Sequence, residues 1–246
     1  MYKVNKILFC GGSGYVGNYI MKLSAQQYPN VTHYVMSRRG TLRKGDSITN
    51  NLTNAVPLKA DCQDIETYPR ELEQCNSIVH TVGTLIEGKK PGTSYKEMNT
   101  DSVVKIATKF NEYAKRQEVK KNFVFISSEK APPFLSDYIT TKRDAEDFLL
   151  NECKHLNVHI LRPGFVVQPQ DRTWSPMVGC LVNIAANINE GIVQKTPLGK
   201  PLDFLFPTHA TKLETIADVA IEGAHGHIEP KIWTNYMLQN YQASEK

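Results

Sequence analysis

Short apolar runs alternate with longer stretches of helical spacing over about 160 of the 246 residues of this chain. Lys6–Cys10 is an apolar run stopped by Gly11-Gly12, the pattern of a strand buried on both faces. Tyr15 to about Tyr28 repeats apolar positions at helical spacing and ends at Pro29-Asn30. Val31 to Met36 and, after a polar stretch, Ala55 to Lys59 predict two further strands. Asp64 is placed to cap a short helix ending near Gln74, and Ser77 to Thr81 predicts a fourth strand. Ser94 to about Arg116 carries Met98, Val103, Ile106, Ala107 and Phe110 on one helical face, and Asn122 to Ile126 is a β-branched and aromatic fifth strand. Ser136 to about Cys153 predicts another helix, and Val158 to Leu161 a sixth strand stopped at Pro163-Gly164. Such alternation requires right-handed crossovers and predicts an α/β, doubly wound parallel sheet in the order 3-2-1-4-5-6 over residues 1–163. After Gly164 the texture changes: Pro169, Pro176, Pro197, Pro201 and Pro207 break the chain around two helix candidates, Trp174 to Asn189 and Leu213 to about Ala224. Residues 164–246 are too few for a core of their own and predict a small substrate-binding lobe packed on the carboxyl edge of the sheet.

Composition narrows the class. With 41% hydrophobic and 22% charged residues, the chain is an ordinary globular one rather than disordered. Its 29 Lys and Arg against 25 Asp and Glu leave a net charge of +4. That charge is spread thinly: Arg38-Arg39 and Lys120-Lys121 are isolated pairs, so nucleic acid is not an expected partner. The five cysteines, Cys10, Cys62, Cys75, Cys153 and Cys180, are scattered with no C-x-x-C, which argues against a disulfide framework or a zinc site and for a reducing compartment. No run of eighteen apolar residues predicts a transmembrane segment, and the N-terminus has neither a signal-type apolar region nor an Arg-rich leader.

The chemistry begins at Gly11-Gly12-Ser13-Gly14-Tyr15-Val16-Gly17, between the first strand and the first helix. In that context a G-x-G-x-x-G turn reads as a dinucleotide cradle of Rossmann type. Glycines allow the tight turn and a close approach to pyrophosphate, and the helix N-terminus offers free N–H groups. A carboxylate at the end of the second strand would bind a ribose 2′-hydroxyl; Ser37, Arg38 and Arg39 stand there instead. A guanidinium pair suits a 2′-phosphate, which predicts NADP(H) in preference to NAD(H), against the plain alternative of two solvated loop arginines. Asp61, after the third strand, is either an acceptor for the adenine amino group or an ordinary turn residue.

Tyr138 and Lys142 stand four apart on one helix and so share a face. A free phenol is ionised in only about one molecule in a thousand at neutral pH, and a neighbouring ammonium favours the anion. In the reverse direction the phenol donates a proton to a carbonyl oxygen. Ser127 and Ser128 end the fifth strand, and a hydroxyl there would bond the same substrate oxygen; strand alternation lets one of them face the site without settling which, with the weight slightly on Ser127. Asn99 is placed to order a water in a proton relay to Lys142, or is an ordinary polar helix residue.

Taken together, the glycine loop, Asp61, Val79-His80-Thr81-Val82-Gly83, Asn99, Tyr138/Lys142 and Leu161-Arg162-Pro163-Gly164 resemble the extended and atypical short-chain dehydrogenase/reductases over nearly the whole chain. Ile126 to Ala131, Tyr138 to Glu146 and Arg162 to Phe165 look most like the mitochondrial branch, which contains a fungal protein associated with coenzyme Q (ubiquinone) biosynthesis and an NADPH-holding accessory subunit of respiratory complex I. The resemblance implies catalytic roles for Tyr138, Lys142, Ser127 or Ser128 and Asn99. It also implies dinucleotide contacts from Thr81, Val82, Gly83, Lys142, Pro163 and Gly164, and a mitochondrial location in place of the cytoplasm. The loop before Tyr138 is short and the lobe small, which disfavours a sugar-nucleotide. Two functions follow as expectations: an oxidoreductase acting on a hydrophobic, quinone-related carbonyl or alcohol, or a dinucleotide-holding scaffold or redox-sensing subunit in a mitochondrial protein complex.

Other features have two readings. Thr173 to Asn189 carries no charge and is either a pocket wall for a greasy substrate or a buried helix, with Asp171 and Arg172 at its entrance gripping a polar head or forming a surface pair. His155/His159 and His225/His227 lack metal-ligand spacing, and no metal is expected.

Overall fold

Lys6–Cys10 (β1) lies at the middle of a parallel sheet, paired with Thr32–Ser37 (β2) on one side and Ser77–His80 (β4) on the other. The computed structural model describes residues 4–43, 51–131, 135–167 and 209–242. Ala55–Lys59 (β3), Lys121–Ile126 (β5), Leu156–Leu161 (β6) and Ile232–Trp233 (β9) complete the sheet in the order β3-β2-β1-β4-β5-β6-β9. A separate two-stranded ribbon pairs Val166–Val167 (β7) with Thr211–Lys212 (β8).

Successive strand residues point to opposite faces, and in the central strands β1, β4 and β5 nearly all of them are buried, which is why these strands run largely apolar. Ile7 and Phe9 join Val79, Val124 and Leu161 under Tyr15–Gln27 (α1) and Leu213–His225 (α5). Leu8, Cys10, Ile78, Phe123, Phe125 and Ile160 face the other way, under Glu71–Gln74 (α2), Ser102–Arg116 (α3) and Ser136–Glu152 (α4). The expected strand order holds for the six strands and gains a seventh, β9, which pairs with Ile160 and Leu161.

The chain beyond Gly164 returns to the sheet through its described residues. Its described helix α5 packs on α1 and supplies Ile216, Ala217, Val219 and Ala220 to the sheet core. Ser77 Oγ and Asn122 Nδ2 donate to the carbonyl of Ala224, and Gly226, at φ 70°, closes the helix with a left-handed cap. Gly223 leaves room for the His159 ring, whose Cγ lies 3.0 Å from where a Cβ would stand. Asn235–Gln239 (α6) follows β9 and adds Leu238 to the same core. The reason is geometric: the face opposite α3 and α4 needs a second helix beside α1, and among the described residues α5 supplies it. The Trp174–Asn189 candidate, with Asp171 and Arg172, lies outside the described residues.

Two predicted helices are subdivided. Asp64 accepts from Glu66 N and caps a short 3₁₀ turn, Ile65–Thr67, separate from α2. The long helix opens with a π-helical turn, Lys96–Asp101, preceded by a reciprocal cap in which Glu97 and Ser94 each bond the other's backbone N–H. No described helix is long and apolar enough to cross a membrane.

His33, His80 and His159 are fully buried, and burial holds them neutral, at about 4, 3 and 4 respectively. A group whose pKa falls on folding contributes stability that is complete above its unfolded value near 6.5 and is lost as pH falls toward the folded value. Below about pH 6.5, unfolding free energy should therefore drop by about 1.4 kcal/mol per pH unit for each such histidine. Urea unfolding midpoints followed from pH 7.5 to 4.5 check this; a flat profile down to pH 5 would contradict three neutral buried rings.

Candidate functional site

At the carboxyl end of β1 the chain turns through Gly11, whose φ of 82° favours glycine. Gly14 N donates to the Gly11 carbonyl at 2.8 Å, and α1 starts immediately afterwards with no side-chain cap and no acidic residue in its first turn. Its leading N–H groups and positive dipole end are left for an anion. Space, too, is set by glycine. A Cβ at Gly17 would stand 2.5 Å from the Gly11 carbonyl oxygen, and one at Gly11 2.8 Å from Thr81 Oγ1. Gly12 packs inward on Phe9 and Val35, and Val16 packs on the same core.

Gly11, Ser13 and Gly14 line a cleft of about 270 Å3 with Ser37 at the end of β2, Arg38 just beyond it, Asp61 beyond β3, and Thr81, Val82 and Gly83 beyond β4. Met36, Ala60, Cys62, Gln63 and Met98 complete it; only residues between strand ends were legible in advance. Arg38 and Arg39 are both exposed, but Arg38 alone reaches the cleft lining. Ser37 Oγ accepts from Gly40 N at 3.2 Å and shapes the turn that carries the two arginines. Asp61 Oδ1 accepts from Gln63 N at 3.0 Å, so part of its carboxylate capacity holds its own turn.

Gly83 joins this cleft to a second cluster. The position of a Cβ there lies 2.9 Å from both Asn99 Oδ1 and Lys142 Nζ. Asn99, fully buried in the π-helical turn, accepts from Thr84 N at 2.9 Å and donates to the Thr84 carbonyl and to Thr141 Oγ1, each at 3.3 Å. It therefore pins the loop after β4 to α4, where a water relay was expected. Lys142 donates to the Ile126 carbonyl at 3.1 Å and sits 4.7 Å from the Phe125 ring centre. Burial pulls its pKa down to about 7, with Glu146 acting in the opposite sense.

The two serines have different partners: Ser127 Oγ donates to the buried Glu146 carboxylate, and Ser128 Oγ donates to the Lys130 carbonyl at 3.2 Å. Burial raises the pKa of Tyr138; the Ser128 bond and the Arg143 charge oppose that rise, and Tyr95 adds to it. Tyr95 meets Tyr138 edge to face, ring centres 6.2 Å apart. Glu146 also holds Arg143 and Arg162, the latter through Nε at 3.0 and 3.2 Å. None of these three was singled out, although Arg143 and Glu146 stand three apart directly after Lys142, a spacing that puts them side by side. Pro163 and Gly164 do not line the cleft: the Gly164 N–H donates to Thr211 Oγ1 and Asn235 Oδ1, and the Pro163 carbonyl accepts from Glu129 N.

Residues 7–179 match the model of the NAD dependent epimerase/dehydratase family. The chain belongs to that family. Among its relatives is a Saccharomyces cerevisiae protein described as MIOREX complex component 2, 23% identical, with 66% of this chain and 73% of that protein covered. Solved structures with the same fold include Cj0485 dehydrogenase, at a TM-score of 0.61 and 18% identity over 99% of this chain and 97% of that one. The Bordetella bronchiseptica enzyme WbmG in complex with NAD has a TM-score of 0.57 and 13% identity, over 93% and 71% of the two chains. This member of the epimerase/dehydratase family is thus an NAD(P)-binding, extended short-chain dehydrogenase/reductase-like protein, and its glycine cradle fits the pyrophosphate of such a ligand. In this epimerase/dehydratase cradle, Gly17→Ala forces α1 away from Gly11 and should weaken dinucleotide binding at least tenfold at a stability cost of about 1–3 kcal/mol. Calorimetric titration beside thermal melts measures both effects; unchanged affinity would show that the close approach is not needed.

Proposed function

We propose that this protein is an NADP(H)-dependent oxidoreductase that transfers a proton through Tyr138 to or from the oxygen of a hydrophobic carbonyl or alcohol. The observation that carries the reading is Gly83, which lines the dinucleotide cleft and at the same time abuts the Lys142–Asn99 end of the Tyr138 cluster. Bound nicotinamide supplies the hydride acceptor or donor. The chain supplies everything else: Gly11 to Gly17 and the N-terminus of α1 hold the pyrophosphate, Arg38 and Arg39 the 2′-phosphate, Asp61 the adenine, and Lys142 the nicotinamide ribose. Ser128 orients the substrate oxygen toward the phenol, and Ser127 acts behind it through Glu146. Asn99 keeps the wall at Thr84 closed against water.

Support for a hydrophobic substrate comes from the aromatic wall at Tyr95 and from Leu85 and Ile86, exposed on the loop that Tyr95 braces through its bond to the Leu85 carbonyl. A quinone-related substrate and a mitochondrial setting are supported by the sequence resemblance of residues 126–131 and 138–146, and the 164–246 segment remains the proposed source of substrate contacts. A second reading, a dinucleotide-holding subunit of a larger assembly, is favoured by the yeast relative's description as a complex component and by the half-neutral Lys142.

Replacing Arg38 and Arg39 together by alanine should weaken NADPH binding at least tenfold and leave NADH nearly unchanged, in line with loss of charge-assisted bonds of about 1.5–3 kcal/mol. Competitive titration of the two cofactors reads the difference, and tighter NADH than NADPH binding by the native protein refutes the preference. Tyr138→Phe should retain cofactor and lose at least about a hundredfold in turnover, the usual size of an acid–base contribution. Stopped-flow nicotinamide absorbance with quinone-type and alcohol substrates measures it; full activity in the phenylalanine variant would refute proton transfer through Tyr138, and no turnover in the native protein would leave the scaffold reading standing.

A further inference from the structure

The loop that leaves β4 turns its most apolar side chains outward: Ile86 is 82% exposed and Leu85 59%. The backbone around them is nonetheless tightly tied. Asn99 holds the N–H and the carbonyl of Thr84 at 2.9 and 3.3 Å, and Tyr95 Oη donates to the Leu85 carbonyl at 3.0 Å. The N–H and the carbonyl of Ile86 both close on Thr84 Oγ1, at 3.2 and 2.7 Å. Further along, Gly88 N donates to the Thr93 carbonyl at 2.9 Å, and Gln63 Nε2 to the Gly92 carbonyl at 3.1 Å. Backbone beside the two apolar side chains therefore arrives with its polar groups partnered, a condition for entering an apolar phase that a loop bathed in water need not meet.

Charge on the loop is sorted in the same way. Glu87 Oε1 accepts from Tyr95 N at 3.1 Å, and Glu97 accepts from the N–H groups of Gly92 and Ser94, at 3.0 and 3.1 Å. Both carboxylates are thus turned onto the loop's own backbone. Lys89, Lys90 and Lys96 are exposed, and among the described residues their ammonium groups make no ion pair or hydrogen bond. What faces outward is an apolar pair flanked by three free cations. A protein partner that adds a strand needs open backbone donors and acceptors, and here they are closed. A lipid surface needs only what this loop offers: apolar side chains to seat below the headgroups, and cations to meet the lipid phosphates.

We propose that the loop of residues 84–96 is a peripheral docking surface for an anionic phospholipid membrane, with Leu85 and Ile86 entering the boundary between headgroups and acyl chains and Lys89, Lys90 and Lys96 facing the phosphates. The loop is already held by its internal bonds, so little ordering opposes the contact. Gly83 and Tyr95 connect it to the dinucleotide cleft and to Tyr138, so docking brings the mouth of the site to the bilayer, where a hydrophobic substrate is concentrated. That consequence rests on the oxidoreductase reading; the docking itself does not.

Flotation of the full chain with vesicles of equal parts phosphatidylglycerol and phosphatidylcholine, beside vesicles of phosphatidylcholine alone, tests the proposal. The native protein should float with the anionic vesicles and bind pure phosphatidylcholine at least about tenfold more weakly, and raised salt should weaken the anionic binding. Leu85→Ser combined with Ile86→Ser should reduce binding at least about tenfold, and Lys89→Gln combined with Lys90→Gln about as much. Leu150→Ser, which changes an exposed apolar residue on α4, should leave binding unchanged. Ile86→Trp gives a second measurement: its fluorescence, read against that of the native protein, should shift to the blue when anionic vesicles are added. Native protein that stays in the soluble fraction, as a loop reserved for a protein partner would, overturns the proposal. So does anionic binding that both double variants leave intact, or an unshifted Ile86→Trp spectrum, which decides alone if a double variant does not fold. Flotation needs neither cofactor nor turnover, so its failure is separable from that of the catalytic reading, which Tyr138→Phe reports through hydride transfer.

Discussion

A parallel sheet sealed by helices on both faces leaves its carboxyl edge as the place where backbone polar groups, charged side chains and a ligand can meet, and the described cleft lies on that edge. Gly11, Arg38, Asp61, Gly83 and Ser128 each stand just beyond a different strand. Their convergence follows from strand order: β1 and β4 are neighbours, so the glycine turn and Gly83 lie side by side although about 70 residues separate them. The close contact of Gly17 with Gly11 and Thr81 then brings α1 down onto that edge, with its N-terminus open to the cleft.

Desolvation decides how charge is arranged there. Lys142 pays for full burial by losing much of its tendency to be protonated, and one carbonyl does not restore it. Arg143 keeps part of its surface in water and has a buried carboxylate and two backbone carbonyls as partners. Two adjacent basic residues on one helix thus differ in role because one points under the sheet and the other along its edge. The same physics keeps His33, His80 and His159 neutral within the core.

The six central strands and their helices were legible because a two-sided sheet imposes continuous apolar runs and its crossovers impose helical spacing. The cradle was legible because only glycine tolerates those contacts. Ser128 and Ser127, by contrast, were hard to tell apart in sequence: both follow the same strand, and only the packed structure shows that Ser127 bonds Glu146 while Ser128 bonds the Lys130 carbonyl. The pairing of Glu146 with Arg162 joins residues 16 positions apart across a helix and a strand, beyond the reach of any spacing rule.

Local pattern determined the elements, the strand order of the core, the dinucleotide turn and the shared face of Tyr138 and Lys142, since each depends on residues near in sequence and on steric rules that do not vary. Tertiary structure alone decided that α5 and β9 complete the sheet, that Ser127 bonds Glu146, that Asn99 ties down the loop after β4, and that Arg143 reaches the carbonyls of Ser128 and Glu129. Those outcomes depend on which groups lose water and which find partners from distant segments, and burial is a property of the packed chain, not of any stretch of it.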